Sequence, residues 1–305
     1  MISRNSHACN SPQHDLSRRQ VLGALAGAAA GVGAGSLLSP LVAEQLKAQQ
    51  KQVLLIWLDG GMSQLESWDP KPGTEFGGPF RSIPTTLPGV YVSELMPHTA
   101  RQMQHLAVVR SMSTKDENHS TGVPRILRGD PKNRGVTYPY MGSAMAHLKG
   151  QVDSELPNYI WVKPGSGGFI WQHAGFLGAK YGALALGDGK PPVHINRPPE
   201  IDDARDTARN DIRKQLNRRF RTGRREAEVE AYDYSFQMAE KLIRRKDLFA
   251  DFDPKQLERY GSHPLGRHIL QSKRLIEAGV LFVQCHSYHW DTHGDNFNMH
   301  LDLVP

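Results

Sequence analysis

Cysteine and long apolar runs are both scarce in this chain. Its 305 residues include only two cysteines, Cys9 and Cys285. This count excludes the disulfide framework that stabilises many small secreted domains. The mean hydropathy is −0.50 and aromatic residues make up 8% of the chain, which is typical of a water-soluble globular domain. Cys285 lies in an apolar run, and we predict that it is a small core residue and not a nucleophile.

The amino terminus carries the pattern of an export signal. Ser17-Arg18-Arg19-Gln20-Val21-Leu22 precedes an Ala- and Gly-rich run over residues 23–38, as in twin-arginine signals. The glycines and the following Ser39-Pro40 make this run shorter than the ~20 apolar residues of a membrane span. We therefore predict a twin-arginine signal and linker over residues 1–48, with export by the Tat translocase to the periplasm or the cell exterior and no stable membrane span.

A strand pattern near the start of the remaining chain ends in an aspartate. The apolar run Val53 to Leu58 is followed by Asp59-Gly60-Gly61. Such a run predicts a strand that is covered on both faces, as in a parallel α/β sheet. Open α/β sheets bind their ligands at the carboxyl ends of the strands. Asp59 is therefore either a metal ligand or a residue that starts a turn.

A second apolar run ends in a motif typical of a metal site. Val280 to Cys285 leads into Trp290-Asp291-Thr292-His293-Gly294. Side chains two residues apart on an extended segment point the same way, so Asp291 and His293 could hold one divalent ion. Short Asp and His patterns also occur by chance in polar loops, and this alternative stays open. Together with Asp59, the motif favours a shared metal site.

The segment Asn118 to Gly129 supplies the other candidate site residues. We predict that Ser120 or Thr121 caps a helix here, whose free N–H groups and positive dipole end favour an anionic ester. Arg125 could clamp phosphate or sulfate oxygens through two N–H groups. Plain helix capping is the alternative. His119 is a metal ligand, an acid–base group or a loop histidine.

Four stretches of the chain resemble one known family. They are the first strand with Asp59-Gly60-Gly61, Arg110 to Ser113 with Asn118-His119, the helix Gly266 to Gly279, and Trp290 to Gly294. From about residue 50 to its end, the chain resembles the exported DUF1501 family, which is similar to the alkaline phosphatase and sulfatase superfamily. The Trp-Asp-Thr-His-Gly element is the most specific part of this resemblance.

The resemblance implies an α/β domain over residues 49–305 with an alkaline-phosphatase-like, mostly parallel sheet flanked by helices. It also implies one or two divalent metals (Zn²⁺, Ca²⁺, Mg²⁺ or Mn²⁺), with Asp59 as an early ligand and Asp291 and His293 as later ones. A serine or threonine at the helix start would be the nucleophile. The family pattern continues with Glu-Phe-Gly-Arg-type and Asp-His-Trp-type elements, which do not occur after Asn296. We therefore expect the C-terminal part of the domain to be missing.

Two functions remain open from the sequence. The first is an exported, metal-dependent hydrolase of phosphate or sulfate esters, inactive as this fragment, whose substrate is a small-molecule or polysaccharide anionic ester. Because no cysteine lies near Ser120, a formylglycine sulfatase is disfavoured. The second is a non-catalytic exported protein that keeps the scaffold for binding.

The remaining pattern predicts ordinary structural elements. Arg213 to Arg225 is rich in basic residues but is surrounded by acids, so we predict a solvated helix and no nucleic-acid partner. The Gly- and Pro-rich residues 164–168 and 187–192 are predicted loops, and the second lacks the Lys-Ser/Thr of a phosphate-binding loop. We expect further strands and helices over the following ranges: strands at Leu106 to Arg110 and Asn158 to Lys163, and helices near Tyr140 to Leu148, Glu226 to Arg245 and Pro264 to Ala278.

Overall fold

A computed structural model describes most of the chain after the amino terminus, namely residues 51–129, 135–150, 155–163, 174–188, 196–221, 226–261 and 263–304. The predicted signal at residues 1–48 and the predicted loop at 164–168 lie outside these residues. The described residues belong to two compact units, one drawn from 63–110 and 295–305 and the other from 50–62 and 111–294. None of the described helices is long and apolar enough to cross a membrane.

The larger unit is built on a parallel sheet. In chain order, the strands of the described residues are β1 (Val53–Leu58), β2 (Ser82–Pro84), β3 (Tyr91–Ser93), β4 (Tyr159–Val162), β5 (Leu184–Ala185) and β6 (Phe282–Ser287). Four of them form the sheet in the order β1-β6-β4-β5, and every pairing in it is parallel. The predicted α/β class with a mostly parallel sheet is confirmed, as is the predicted strand within Asn158 to Lys163.

Helices flank this sheet and also occur in the smaller unit. They are α1 (Pro97–Ala100), α2 (His119–Arg128), α3 (Met141–Lys149), α4 (Asp203–Arg221), α5 (Glu226–Arg244), α6 (Pro254–Tyr260), α7 (Pro264–Glu277) and α8 (Asn296–Leu303). The helices predicted near residues 140–148, 226–245 and 264–278 are confirmed with ends that differ by about one residue, the usual uncertainty of helix boundaries. The solvated helix predicted at Arg213 to Arg225 corresponds to the second half of α4.

The strand predicted at Leu106 to Arg110 is wrong. This segment follows a short 3₁₀ helix at Met103–His105 and does not pair with any described strand. Its apolar side chains, including Leu106 and Val109, are largely exposed. The apolar side chains of this segment predicted a buried strand, but no described strand lies beside the segment to bury them.

Strand β6 lies in the middle of the core and every one of its residues is buried. On one face of the sheet, Val283 packs with Leu275 of α7 and Leu242 of α5. On the other face, Phe282 packs with Tyr159 of β4 and Ala146 of α3. Both faces of β6 are therefore fixed by helices, and its carboxyl end is a rigid starting point for the loop that contains Asp291.

Strand β1 lies at one edge of the sheet, where its described partner is β6. Leu55 and Trp57 pack against the core beside α2 and α3, whereas Leu54 is 36% exposed and Ile56 is 42% exposed. The prediction that this strand is covered on both faces is therefore wrong. Helix α7 packs mainly on β6 and covers β1 less completely, so one apolar face of β1 keeps contact with water.

The smaller unit joins a β2–β3 hairpin to helices α1 and α8. Two contacts connect α8 to the segment that follows residue 62: the backbone N–H of Ser63 donates to Nε2 of His300 at 2.9 Å, and Phe80 meets Phe297 edge to face at 6.1 Å. The Ser63 hydroxyl donates to the buried Glu66 carboxylate. These polar groups are therefore satisfied inside this unit.

Candidate metal centre

Three side chains with metal-ligand chemistry meet near the carboxyl end of β6. Oδ2 of Asp291 lies 2.9 Å from Nε2 of His293 and 3.5 Å from Nδ1 of His119. One ligand atom from each of the three residues lies within 4.8 Å of the others. We call this group the His–Asp–His cluster. Because metal–ligand bonds to these groups are about 2.0–2.2 Å long, atoms at such separations can reach one ion with small side-chain movements.

The loop that holds Asp291 rests against the turn after β1. Gly60 has φ +98°, and a Cβ added to it would lie 2.3 Å from the backbone nitrogen of Asp291 and 2.4 Å from its Cβ. Only glycine allows this close approach at this φ value. The turn Asp59-Gly60 therefore fixes the position of Asp291, although Gly60 itself is exposed.

Asp59 extends the pairing of β1 with β6. Its backbone N–H donates to the carbonyl of Ser287 at 2.8 Å, and its carboxylate accepts a hydrogen bond from the Trp57 indole at 3.2 Å. Among the described residues, the group that could hold a metal contains His119 and not Asp59. The structure thus places Asp59 at the predicted sheet edge but outside the cluster, and its role as a ligand stays a prediction.

The N-cap of helix α2 lies two residues before Ser120, the earlier of the two predicted caps. Asn118 is the N-cap, because its side chain accepts from the backbone N–H of Ser120 at 2.8 Å. The prediction that Ser120 or Thr121 caps the helix is wrong, since both lie inside the first turn. This start makes His119 the first helical residue. The helix ends at Gly129, which has φ 68° in the left-handed region.

Replacing Asn118 with alanine is expected to destabilise the chain by about 1 kcal/mol, because the N–H of Ser120 loses its acceptor. Ser120→Ala should change stability much less, since the Ser120 side chain is exposed inside the turn. Urea denaturation of both variants measures the difference. A larger loss for Ser120→Ala than for Asn118→Ala would show that the serine is the cap after all.

Asp116 organises the first turn of α2 and was missed from the sequence. Its carboxylate accepts from the Thr121 hydroxyl at 2.9 Å and pairs with Nε of Arg125 at 2.5 Å. The backbone N–H of Asn118 also donates to it. This backbone hydrogen bond, together with Thr121 and Arg125, lowers the pKa of the Asp116 carboxyl. A signal was available, because an Asp two residues before an N-cap Asn often accepts from nearby backbone N–H groups.

These contacts change the expected role of the helix start. Thr121 and Arg125 are both engaged with Asp116, so Arg125 would have to leave this partner before it could clamp an anion. A cleft of about 780 Å³ lies beside Asp116 and is lined by residues 112–118 and Ile126. The described structure therefore offers space for a ligand next to the start of α2.

The other residues near the motif are structural. His286 is fully buried in β6, where its ring lies 4.9 Å from that of Trp161. Burial, with a smaller effect of Lys163, lowers the pKa of His286 to about 3. Cys285 is also fully buried, as predicted, and burial raises the pKa of its thiol to about 11. His289 is exposed and has φ 74°.

Comparison with known proteins gives a family without an assigned activity. A family model described as "Protein of unknown function (DUF1501)" matches residues 50–305. Searches of curated proteins and of solved structures found no match. The family match covers most of the 305 residues and includes every residue of the His–Asp–His cluster. The chain therefore belongs to the DUF1501 family.

Proposed function

We propose that this chain is an exported, metal-dependent hydrolase of phosphate or sulfate esters. The observation that carries this proposal is the His–Asp–His cluster at the carboxyl edge of a parallel sheet, where open α/β sheets bind ligands. An alkaline-phosphatase-like fold and export to the periplasm or cell exterior belong to the same proposal.

The donor set of the cluster fits a divalent metal. Two imidazoles and one carboxylate are a common ligand set of catalytic zinc sites. Calcium prefers oxygen ligands, so the two histidines favour Zn²⁺ or a similar transition-metal ion over Ca²⁺. When bound, such an ion would polarise the ester oxygen.

The chain's own residues would bind and attack the ester. Ser120 and Thr121 directly follow His119 in the first turn of α2. The helix dipole favours an anion there, although Asn118 already accepts from the backbone N–H groups of Ser120, Thr121 and Gly122. The Thr121 hydroxyl already donates to Asp116, which is the contact through which a carboxylate takes a proton from a nucleophile. Ser120 is exposed and is the other candidate nucleophile. A small-molecule or polysaccharide anionic ester is the proposed substrate class.

The cluster should hold a metal weakly. The His119, Asp291 and His293 side chains are 60%, 36% and 72% exposed, so water competes for them and does not fix their rotamers. Catalytic sites also use several ligands per metal and support them with hydrogen bonds from neighbouring groups. We therefore expect the cluster to bind a metal ion weakly and to support only slow ester hydrolysis, because its side chains are not held in place before the ion binds.

Isothermal titration calorimetry of the 305-residue chain with Zn²⁺, Mn²⁺, Mg²⁺ and Ca²⁺ tests the metal site directly. His293→Ala should weaken binding by about tenfold or more, whereas His289→Ala, an exposed histidine outside the cluster, should not. Equal losses in the two variants would refute the site. Robust hydrolysis of an aryl phosphate or aryl sulfate that is abolished by Asp59→Ala would instead show a complete site that uses Asp59.

One observation favours a second function, a non-catalytic exported binding protein that keeps the hydrolase scaffold. Asp116 pairs with Arg125, which keeps the predicted anion clamp away from a substrate. Thr121→Ala and Ser120→Ala separate the two functions. Metal-dependent hydrolysis of aryl esters that either variant lowers favours the hydrolase, whereas metal binding without metal-dependent hydrolysis favours the binding protein.

A further inference from the structure

Helix α4 exposes a line of large apolar side chains. Ile212, Leu216 and Phe220 are 57%, 48% and 63% exposed. Their spacing of four residues places them one above the other along one side of the helix. Helix α4 has no buried residue at all. These side chains therefore do not belong to the core of the described structure, and an exposed apolar line of this kind often marks a binding surface.

Two arginines lie on the same side of the helix. At 100° per residue, Arg209 and Arg219 fall within about 60° of Leu216 around the helix axis, and both are exposed. Asp211 falls about 140° from Leu216, on the other side. We call Arg209, Ile212, Leu216, Arg219 and Phe220 the arginine–apolar stripe. It combines apolar and positively charged groups.

The adjoining side of α4, about 60–100° around the helix axis from Leu216, attaches it to α5. Asp233 of α5 accepts hydrogen bonds from Arg213 at 2.9 Å and Asn217 at 2.5 Å. The Arg213 guanidinium also stacks 4.3 Å above the centre of the Phe236 ring. These contacts fix the rotation of α4 about its axis. The arginine–apolar stripe is therefore held outward, with Arg209, Leu216 and Tyr232 among the residues of a shallow cleft of about 440 Å³.

The composition of the stripe selects among the surfaces that could cover it. A simple anionic polymer would use the arginines but would leave three large apolar groups in water. A second copy related by two-fold symmetry would bring the same stripe against itself, which places arginines near arginines. An anionic lipid surface satisfies both kinds of group, because apolar side chains enter the headgroup region and arginines meet phosphates.

We propose that the arginine–apolar stripe of α4 docks the protein on the surface of a membrane that contains anionic phospholipids. The helix lies in the plane of the interface and does not cross it. Each arginine near an anionic surface and each apolar side chain at the headgroup boundary adds to the affinity. Binding should therefore require anionic lipid and should weaken as salt is added. This proposal does not depend on the metal site.

Cosedimentation of the 305-residue chain with phosphatidylcholine vesicles, with and without phosphatidylglycerol, tests the proposal. Binding is expected only when phosphatidylglycerol is present. The triple variant Ile212→Ser/Leu216→Ser/Phe220→Ser should bind at least about tenfold more weakly. The double variant Arg209→Gln/Arg219→Gln should also lose about tenfold.

A matched control removes the same charge from the other side of α4. Lys214 and Arg218 each fall about 160° from Leu216, so Lys214→Gln/Arg218→Gln should bind within about twofold of the parent chain. Because α4 buries none of these side chains, circular dichroism and thermal unfolding should show every variant folded. Equal losses from the two charge variants would overturn the proposal, since net charge alone would then explain binding.

Two further results would also overturn it. If the triple serine variant keeps full vesicle binding and heparin displaces the protein, the stripe binds anionic polymers. If sedimentation equilibrium shows a dimer that the same variant dissociates, the stripe contacts a second copy. Binding to phosphatidylglycerol vesicles that is lost in the triple variant, with a monomer in solution, supports the membrane surface.

Discussion

Gly60→Ala is expected to lower the free energy of unfolding by about 3 kcal/mol or more, the combined cost of backbone strain and overpacking. The added Cβ would lie 2.3 Å from the Asp291 backbone nitrogen, far inside contact distance, and would occupy a residue with φ +98°. Backbone atoms cannot move aside as a flexible side chain can. The loop that holds Asp291 must therefore shift, and the His–Asp–His cluster should be distorted along with the fold.

Gly61→Ala is the matched control for this effect. Gly61 also has a positive φ of 80°, but a Cβ added to it meets no atom within 4 Å. Gly61→Ala should therefore lower the free energy of unfolding by about 1–2 kcal/mol, the cost of backbone strain alone. Urea denaturation of the two variants measures the difference between them. Equal losses would show that the turn after β1 does not press on Asp291.

The sequence predicted the structure best where the structure depends on local chemistry. The apolar run before Asp59 identified β1, and the run before His286 identified β6, although the observed β6 begins and ends about two residues later. What the pattern could not show was that β1 lies at the edge of the sheet. An apolar run predicts a strand, but it does not show which faces of that strand are buried. Burial of each face depends on helices that lie far away in the sequence.

The candidate site shows the same division. The sequence identified Asp291 and His293 as a pair, but the predicted extended geometry is wrong, because His293 has φ 51° and the segment lies beyond the end of β6. The addition of His119 could not be deduced from spacing, because His119 lies more than 150 residues before Asp291 and reaches it through the packing of α2 beside β1. The role of Asp116 was missed because Ser120, Thr121 and Asn118 are all favoured N-cap residues. The sequence therefore did not show that Asn118 is the cap and that Asp116 lies just before it.

Acidification should destabilise the protein through His286. The pKa of this histidine is lowered from 6.5 to about 3, mainly by burial and further by Lys163. In the folded protein the ring stays neutral, whereas the unfolded chain takes up a proton below pH 6.5. The stabilisation is therefore complete above pH 6.5 and is lost as the pH falls toward 3. Between pH 7 and pH 5, the free energy of unfolding should fall by about 2 kcal/mol.

The surroundings of His286 explain why it resists protonation. Its Nε2 lies 2.6 Å from the side-chain nitrogen of Gln284, while its Nδ1 is buried and meets no hydrogen-bond acceptor among the described residues. The neighbouring Trp161 ring packs against the His286 ring, so this side of the imidazole contacts an aromatic side chain and not water. Because the Gln284 amide group donates to Nε2, the neutral ring carries its hydrogen on Nδ1, and a second proton on Nε2 would face this donor and add a charge in a site of low polarity.

His286→Gln should reduce the pH dependence of the free energy of unfolding by about 2 kcal/mol between pH 7 and pH 5, because glutamine keeps a polar group but does not titrate.

Tyr159→Phe is the control, since it removes the hydrogen bond from Tyr159 to Gln284, the residue that contacts His286. It should lower stability at every pH and leave the slope unchanged, because phenylalanine does not titrate and burial raises the pKa of the tyrosine further from this range. Urea denaturation at several pH values measures both slopes. An unchanged slope in His286→Gln would show that another group controls acid stability, and the buried His268, whose pKa burial also lowers, would be tested next by His268→Gln.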